Sequence, residues 1–282
     1  MGTCCARRAP PSSKFVPAKG GGRESIKCSV SFGGCGMCFP YYVGVLEYLI
    51  DTFDLSDVQF IATSGAAFPV VCWAANGERP RAWMERDFPK CIQYWRSRRL
   101  GVFFDSQAFL RSVWTSFLKE DAFERASRSG NLVLTATKLR ATPPFLELRL
   151  KSDFSSNAAL IDAILGTCHV PGLFGFSRTK VSGETVFDGE PAQRMRCERG
   201  VHVLDANTVR VTACPALGGG GASHVGPARG FSWLSMIRPR SMKANSELAR
   251  SGYVDCAARR WVFLARGWPL RETPSALAEH FP

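Results

Sequence analysis

From Val58 to Gly77 the chain carries no charged residue, a stretch as long as the roughly 20 residues that cross a bilayer. Gly65, Pro69 and Asn76 interrupt it, so a single continuous apolar helix is not expected and no transmembrane helix is predicted. Instead, Phe60-Ile61-Ala62 reads as a buried strand, Thr63 to Ala67 as a cluster of tiny side chains, and the following residues resume with the spacing of a buried helix. A strand that turns sharply into a helix projects the residue on the turn beyond the sheet edge. Large neighbours two positions away would clash, which is why hydrolases favour Gly-x-Ser-x-Gly at such an elbow. Ser64 holds the central position here, with Ala62 and Ala66 as the elbow residues. The pattern supports two readings: close helix-on-strand packing in which the serine does no chemistry, or a nucleophile.

Upstream, Cys28-Ser29-Val30-Ser31-Phe32 alternates like a short strand and runs into Gly33-Gly34-Cys35-Gly36-Met37, after which Pro40 to Ile50 has helical spacing. Glycines between a strand and a helix let backbone N–H groups turn toward an anion, and the helix dipole adds positive potential. A nucleotide loop would be similar, but Phe39 stands where Gly-x-Gly-x-x-Gly needs its last glycine, and no P-loop lysine follows. Downstream, Asn131 to Thr137 reads as a buried strand, Leu146 to Leu150 as a half-exposed one, and Ala159 to Cys168 as an apolar helix ending at Pro171-Gly172. Val186-Phe187-Asp188-Gly189-Glu190-Pro191 then places a carboxylate at the end of a short strand. Asp188 there is either a turn residue or a general base.

Taken in order, Ser31-Phe32-Gly33-Gly34-Cys35-Gly36 with Val43-Gly44-Val45, Ile61 to Phe68 around Ser64, Asp153-Phe154-Ser155-Ser156 through Cys168-His169-Val170-Pro171, and Asp188-Gly189 resemble patatin-like phospholipases. The similarity is greatest to their adiponutrin-type branch and runs from about Ser25 to about Arg266, with Leu248 to Ala257 similar to the closing helix of those domains. The resemblance implies a three-layer α/β/α fold with a mostly parallel central sheet, and hydrolysis of acyl esters of phospholipids or acylglycerols by a Ser-Asp dyad. It assigns Ser64 as nucleophile, Asp188 as its base, and the N–H groups around Gly34, Cys35 and Gly36 as the oxyanion hole, with no cofactor and no metal. The chain departs from the family pattern at Ala62 and Ala66, at Phe39, and at Glu190, where a small residue usually follows Asp-Gly. A register with Thr63 as nucleophile would put Ile61 at the leading glycine position. Weak hydrolysis and a catalytically impaired scaffold that binds lipid or a partner protein are the two outcomes these departures allow.

None of the four histidines has a spacing that marks it as a base: His169 lies in an apolar turn, His202 in a strand-like run, His224 in a glycine-rich loop and His280 near the end. Eleven scattered cysteines suit a reducing compartment better than a disulfide framework, and Cys35-Gly36-Met37-Cys38 lacks the second ligand pair of a zinc site. A net charge of +12 asks for an anionic partner. With no recognition motif and no basic tract, an anionic membrane surface fits better than nucleic acid. Tyr94-Trp95-Arg96-Ser97-Arg98-Arg99 is a candidate interfacial patch or a solvated helix face. Met1-Gly2-Thr3-Cys4-Cys5-Ala6-Arg7-Arg8 reads as a dual acylation signal, with myristoylation at Gly2 and palmitoylation at Cys4 and Cys5, placing the protein on the cytoplasmic side of a membrane; the alternative is a transit segment. At 282 residues and 45% hydrophobic content one core suffices. The expected division is a disordered segment over 1–24, one domain over 25–266 and a tail over 267–282, with no internal repeat and a glycine loop around Gly218 to Gly221.

Overall fold

The computed structural model describes residues 28–99, 106–129, 131–143, 145–173, 179–193, 208–214 and 224–272. Gly2, Cys4, Cys5, the Gly218 to Gly221 loop, His202 and His280 lie outside them.

Among the described residues the chain forms a seven-stranded sheet flanked by helices. Strand β1 (Cys28–Phe32) leads through a 3-10 turn (Gly36–Cys38) into α1 (Pro40–Thr52), and β2 (Val58–Ala62) leads through a second 3-10 turn (Ser64–Ala66) into α2 (Ala67–Ala74). The uncharged stretch is therefore strand, turn and helix, and among the described residues no helix is long and apolar enough to cross a membrane. Four short helices follow, α3 (Pro80–Arg86), α4 (Phe88–Ser97), α5 (Ser106–Phe117) and α6 (Ala122–Ser129). After them come β3 (Leu132–Leu139), β4 (Leu146–Lys151), α7 (Asn157–Thr167), β5 (Thr179–Val181), β6 (Glu184–Asp188) and β7 (Thr208–Val211). The described chain closes with α8 (Trp233–Ile237), α9 (Met242–Ala258) and α10 (Arg260–Leu264).

Strands β3, β2, β1 and β7 run parallel, and β4, β5 and β6 join in antiparallel pairs. β1 and β2 are buried at every residue, as expected of central parallel strands covered on both faces. Helix α1 is buried from Pro40 to Asp51 and begins with proline at its first turn, where no amide partner is lost. Two carboxylates go inside with it. Glu47 and Asp51 both meet the Arg79 guanidinium, at 2.6 Å each, and Glu47 also accepts from the Arg81 N–H at 2.8 Å, so neither charge is left uncompensated.

Residues 267–272, read from sequence as the start of a tail, belong to the packed domain. Trp268 is buried against Phe53 and Phe263, and Arg271 bonds to the carbonyls of Ile50 and Thr52.

The register of β3 positions the site. Its first part pairs with β2 in parallel, ending at Ala62 opposite Leu134. Its later part pairs antiparallel with β6, which ends at Asp188 opposite Ala136. Because β4 covers Leu134 to Leu139 on the other edge, β2 and β6 share one edge of β3 and run toward each other end to end. The residues that leave both strands meet in the gap between them.

Candidate active site

Ser64 follows directly on that gap. Its φ is 57°, one of two non-glycine residues in the left-handed region among those described, a conformation that costs about 1–3 kcal/mol and persists only where the surroundings impose it. The imposing contacts are visible: the Ser64 N–H donates to Thr167 Oγ1 at 2.9 Å, and the buried helix α2 continues the chain immediately afterwards. Ala62 and Ala66 are both fully buried and do not prevent the turn. The tight position is Gly65 instead, where a Cβ would stand 2.4 Å from the Gly36 carbonyl oxygen. The two glycine-bearing turns thus pack backbone on backbone, and the small residue the elbow needs comes directly after the serine.

Thr63, the alternative nucleophile, is extended at φ −123° and fully buried. Its hydroxyl is engaged with Thr135 Oγ1 at 2.7 Å and with the Gln193 amide oxygen, which leaves the turn to Ser64.

Asp188 arrives from the opposite side. It is 6% exposed, its N–H donates to the His169 carbonyl at 2.8 Å, and its Oδ1 accepts from the Glu190 N–H at 2.9 Å. The Ser64 side chain lies near enough to act on the carboxyl group and lower its pKa. Burial pushes its pKa up to about 6, and the Ser64 and Glu190 donors restrain the rise. The native state thus holds this proton to a higher pH than an unfolded aspartate, whose value is 3.8. Stability contributed by this group is lost as pH climbs from about 4 to about 6, amounting to roughly 3 kcal/mol above that window. Asp188→Asn is therefore expected to unfold at a higher temperature than the wild type at pH 7.5 and at nearly the same temperature at pH 3.5; equal thermal midpoints at both pH values would sink this account.

The glycine loop stands beside this pair. Gly33 N–H bonds to Val211 O at 3.0 Å, tying the loop to the β7 edge. Gly36 has φ +50° and lies so close to α8 that a Cβ there would be 2.3 Å from the Met236 oxygen. The structure thus brings Ser64, Asp188 and the Gly34 to Gly36 loop together at one sheet end. Sequence reasoning placed Glu190 beside Asp188 but not its side-chain target: the Gly34 N–H donates to Glu190 Oε2 at 2.7 Å. No local pattern could have revealed a bond across 156 positions.

A cleft of about 280 Å³ opens against Asp188 and is walled by Thr137, Leu139, Leu146, Val170, Pro171 and Phe187. His169 lies along it but is no partner of Ser64: its Nδ1 bonds to Gln107 Nε2 at 2.7 Å, its ring stacks on Phe187, and burial lowers its pKa. His224 is held by the Arg210 N–H and the Arg266 guanidinium. Among the described residues no group of three or more His, Cys, Asp or Glu side chains is arranged to hold a metal ion.

The candidate interfacial patch needs correction. Trp95 is turned inward, 1% exposed, with its Nε1 bonded to Ser106 Oγ at 3.0 Å, because α4 uses that position to pack on its neighbours. Tyr94 stacks on Phe109 at 3.8 Å, and Arg96, Arg98 and Arg99 remain on the surface.

A mixed α/β sheet thus carries a serine on a strand-end turn, a buried carboxyl group and a glycine loop at one end. Residues 30–193 match the family model for the Patatin-like phospholipase, and the chain belongs to that family. The match is to the family as a whole and singles out no branch. The comparison with curated proteins returned no match.

Proposed function

We propose that the protein cleaves carboxylic ester bonds of phospholipids or acylglycerols at a lipid surface, with Ser64 as nucleophile and Asp188 as general base. The observation that carries this reading is a left-handed Ser64 that follows the end of β2 where the end of β6 brings in the buried Asp188. In the first step Ser64 Oγ attacks the ester carbonyl carbon while Asp188 accepts the hydroxyl proton. The oxyanion that forms is held by N–H groups of the Gly34, Cys35 and Gly36 loop. Collapse of the tetrahedral species expels the alcohol, which takes the proton from Asp188 and leaves an acyl group on Ser64. Water, activated by Asp188 as carboxylate, then releases the fatty acid.

The acyl chain is assigned to the cleft beside Asp188. At its mouth Leu139 is 56% exposed, and the neighbouring hairpin residue Phe145 is 59% exposed, which suits contact with acyl chains. The exposed Arg96, Arg98 and Arg99, the net charge of +12 and acylation at Gly2, Cys4 and Cys5 would hold the protein on an anionic surface. One observation favours a second reading, a lipid-binding scaffold without turnover: the Glu190 carboxylate on the Gly34 N–H.

Fatty-acid release from mixed phospholipid and triacylglycerol vesicles tests the proposal. Turnover is expected to rise with pH through an inflection near 6, since the base must be deprotonated. Vesicle binding with no fatty acid released at any pH would leave the scaffold as the better account.

A further inference from the structure

The Glu190 side chain does more than lie near the site. Its Oε2 accepts the Gly34 N–H at 2.7 Å, and its stem fills the space over Gly34, where an added Cβ would stand 2.8 Å from Oε2 and 3.1 Å from the Glu190 Cβ. The same residue's N–H is bound to Asp188 Oδ1 at 2.9 Å, so one residue spans from the carboxyl group to the glycine loop. The Cys35 thiol in the same loop has a raised pKa chiefly because it is buried, with Cys38 and Cys168 adding to the rise and Glu190 a smaller contributor.

We infer that Glu190 is an internal anion that occupies the oxyanion-binding loop in the resting protein, and that the Gly34 loop is a carboxylate-binding site when this side chain leaves. The inference about occupancy of the loop deepens the hydrolase reading and rests on it only for its effect on rate. A glycine-loop N–H recognises negative oxygen, whether on a tetrahedral oxyanion, a free carboxylate or a side chain. A carboxylate delivered by the chain itself competes with an ester carbonyl for that donor at a high effective concentration. Glu190 is half-buried, and its backbone bond to Asp188 does not depend on where the side chain lies. A charge-assisted hydrogen bond of this kind must be given up before the loop serves a substrate, so the closed form suppresses reaction by about ten- to a hundredfold.

The test uses the full-length protein, Glu190→Ala and the isosteric Glu190→Gln, with an alkyl fluorophosphonate as the Ser64 probe and acetate or propionate as the external carboxylate. Both variants are expected to label faster than the wild type, Glu190→Ala by about tenfold or more. Added carboxylate should slow the alanine variant back toward the wild-type rate and leave the wild type unchanged, a reversal that a merely structural change would not produce. In parallel, the Gly34 amide resonance should move on Glu190→Gln and move again when acetate is titrated into Glu190→Ala. A Gly34 amide indifferent to both would overturn the inference. So would labelling of Ser64 at equal rates in all three proteins with no carboxylate effect. If Ser64 labels in none of them while the Gly34 amide responds as expected, the internal anion stands and the hydrolase reading fails.

Discussion

Replacing Ser64 with alanine is expected to reduce fatty-acid release by at least about a thousandfold, with vesicle binding retained, because the acyl group then has no atom to bind. Asp188→Asn is expected to lose about a hundred- to ten-thousandfold, the range contributed by a positioned general base. The amide still accepts the Glu190 N–H that Asp188 Oδ1 accepts at 2.9 Å, so the loss reports proton transfer and not collapse of the strand end. The double variant should be no slower than Ser64→Ala, since groups that act in one step are strongly non-additive. Initial-rate assays on one vesicle preparation check all three. Turnover that survives Ser64→Ala would remove Ser64 from the chemistry, and multiplied losses in the double variant would show that the two residues do not act together.

Gly44→Val is expected to be the most damaging single change to the fold. A Cβ at Gly44 would stand 1.7 Å from the Ala249 carbonyl oxygen, and one at Gly252 would stand 1.9 Å from the Tyr41 oxygen, so α1 and α9 cross backbone to backbone through two matching notches. No rotamer relieves a clash with a main-chain atom. The helices would have to separate, breaking the bond from Tyr41 OH to Asp255 at 2.9 Å and the one from Tyr253 OH to Asp51 at 3.3 Å. Overpacking of this kind costs about 3 kcal/mol or more, visible as a lower urea midpoint. Gly44→Ala should lie between that variant and the wild type. A wild-type midpoint for Gly44→Val would mean that the two helices do not approach as described.

The elements that were legible in the sequence are those whose signals are local. β1 has the bounds its alternation gave, Cys28–Phe32, and α1 starts at Pro40 as its spacing predicts. α7 begins two residues earlier than its apolar run, at Asn157, because Ser156 caps it by accepting the Ala159 N–H at 3.1 Å. The strand, elbow and helix around Ser64 were readable since tiny side chains at a turn leave a mark in composition. Most of the chain between Pro80 and Ser129 leaves no such local mark, because what orders its helices is a cluster of rings that only the fold assembles, with Trp83 stacked on Trp114 at 5.9 Å and on Phe88 at 5.8 Å. In the case of Trp95, an aromatic residue among arginines carries no sign of which way it faces.

By itself the sequence determined the parts: a serine on a sharp turn, a carboxylate after a short strand, and a glycine loop before a buried helix. Each depends on neighbours a few residues away, whose steric limits act before any tertiary contact forms. Only the tertiary structure decided how those parts meet. β2 and β6 are brought end to end by sharing one edge of β3, which places Asp188 at Ser64 and sets its pKa through burial. The same closure carries Glu190 onto the Gly34 N–H. Such contacts depend on chain segments far apart in sequence, fixed by the packing of the whole sheet and unmarked in any local window.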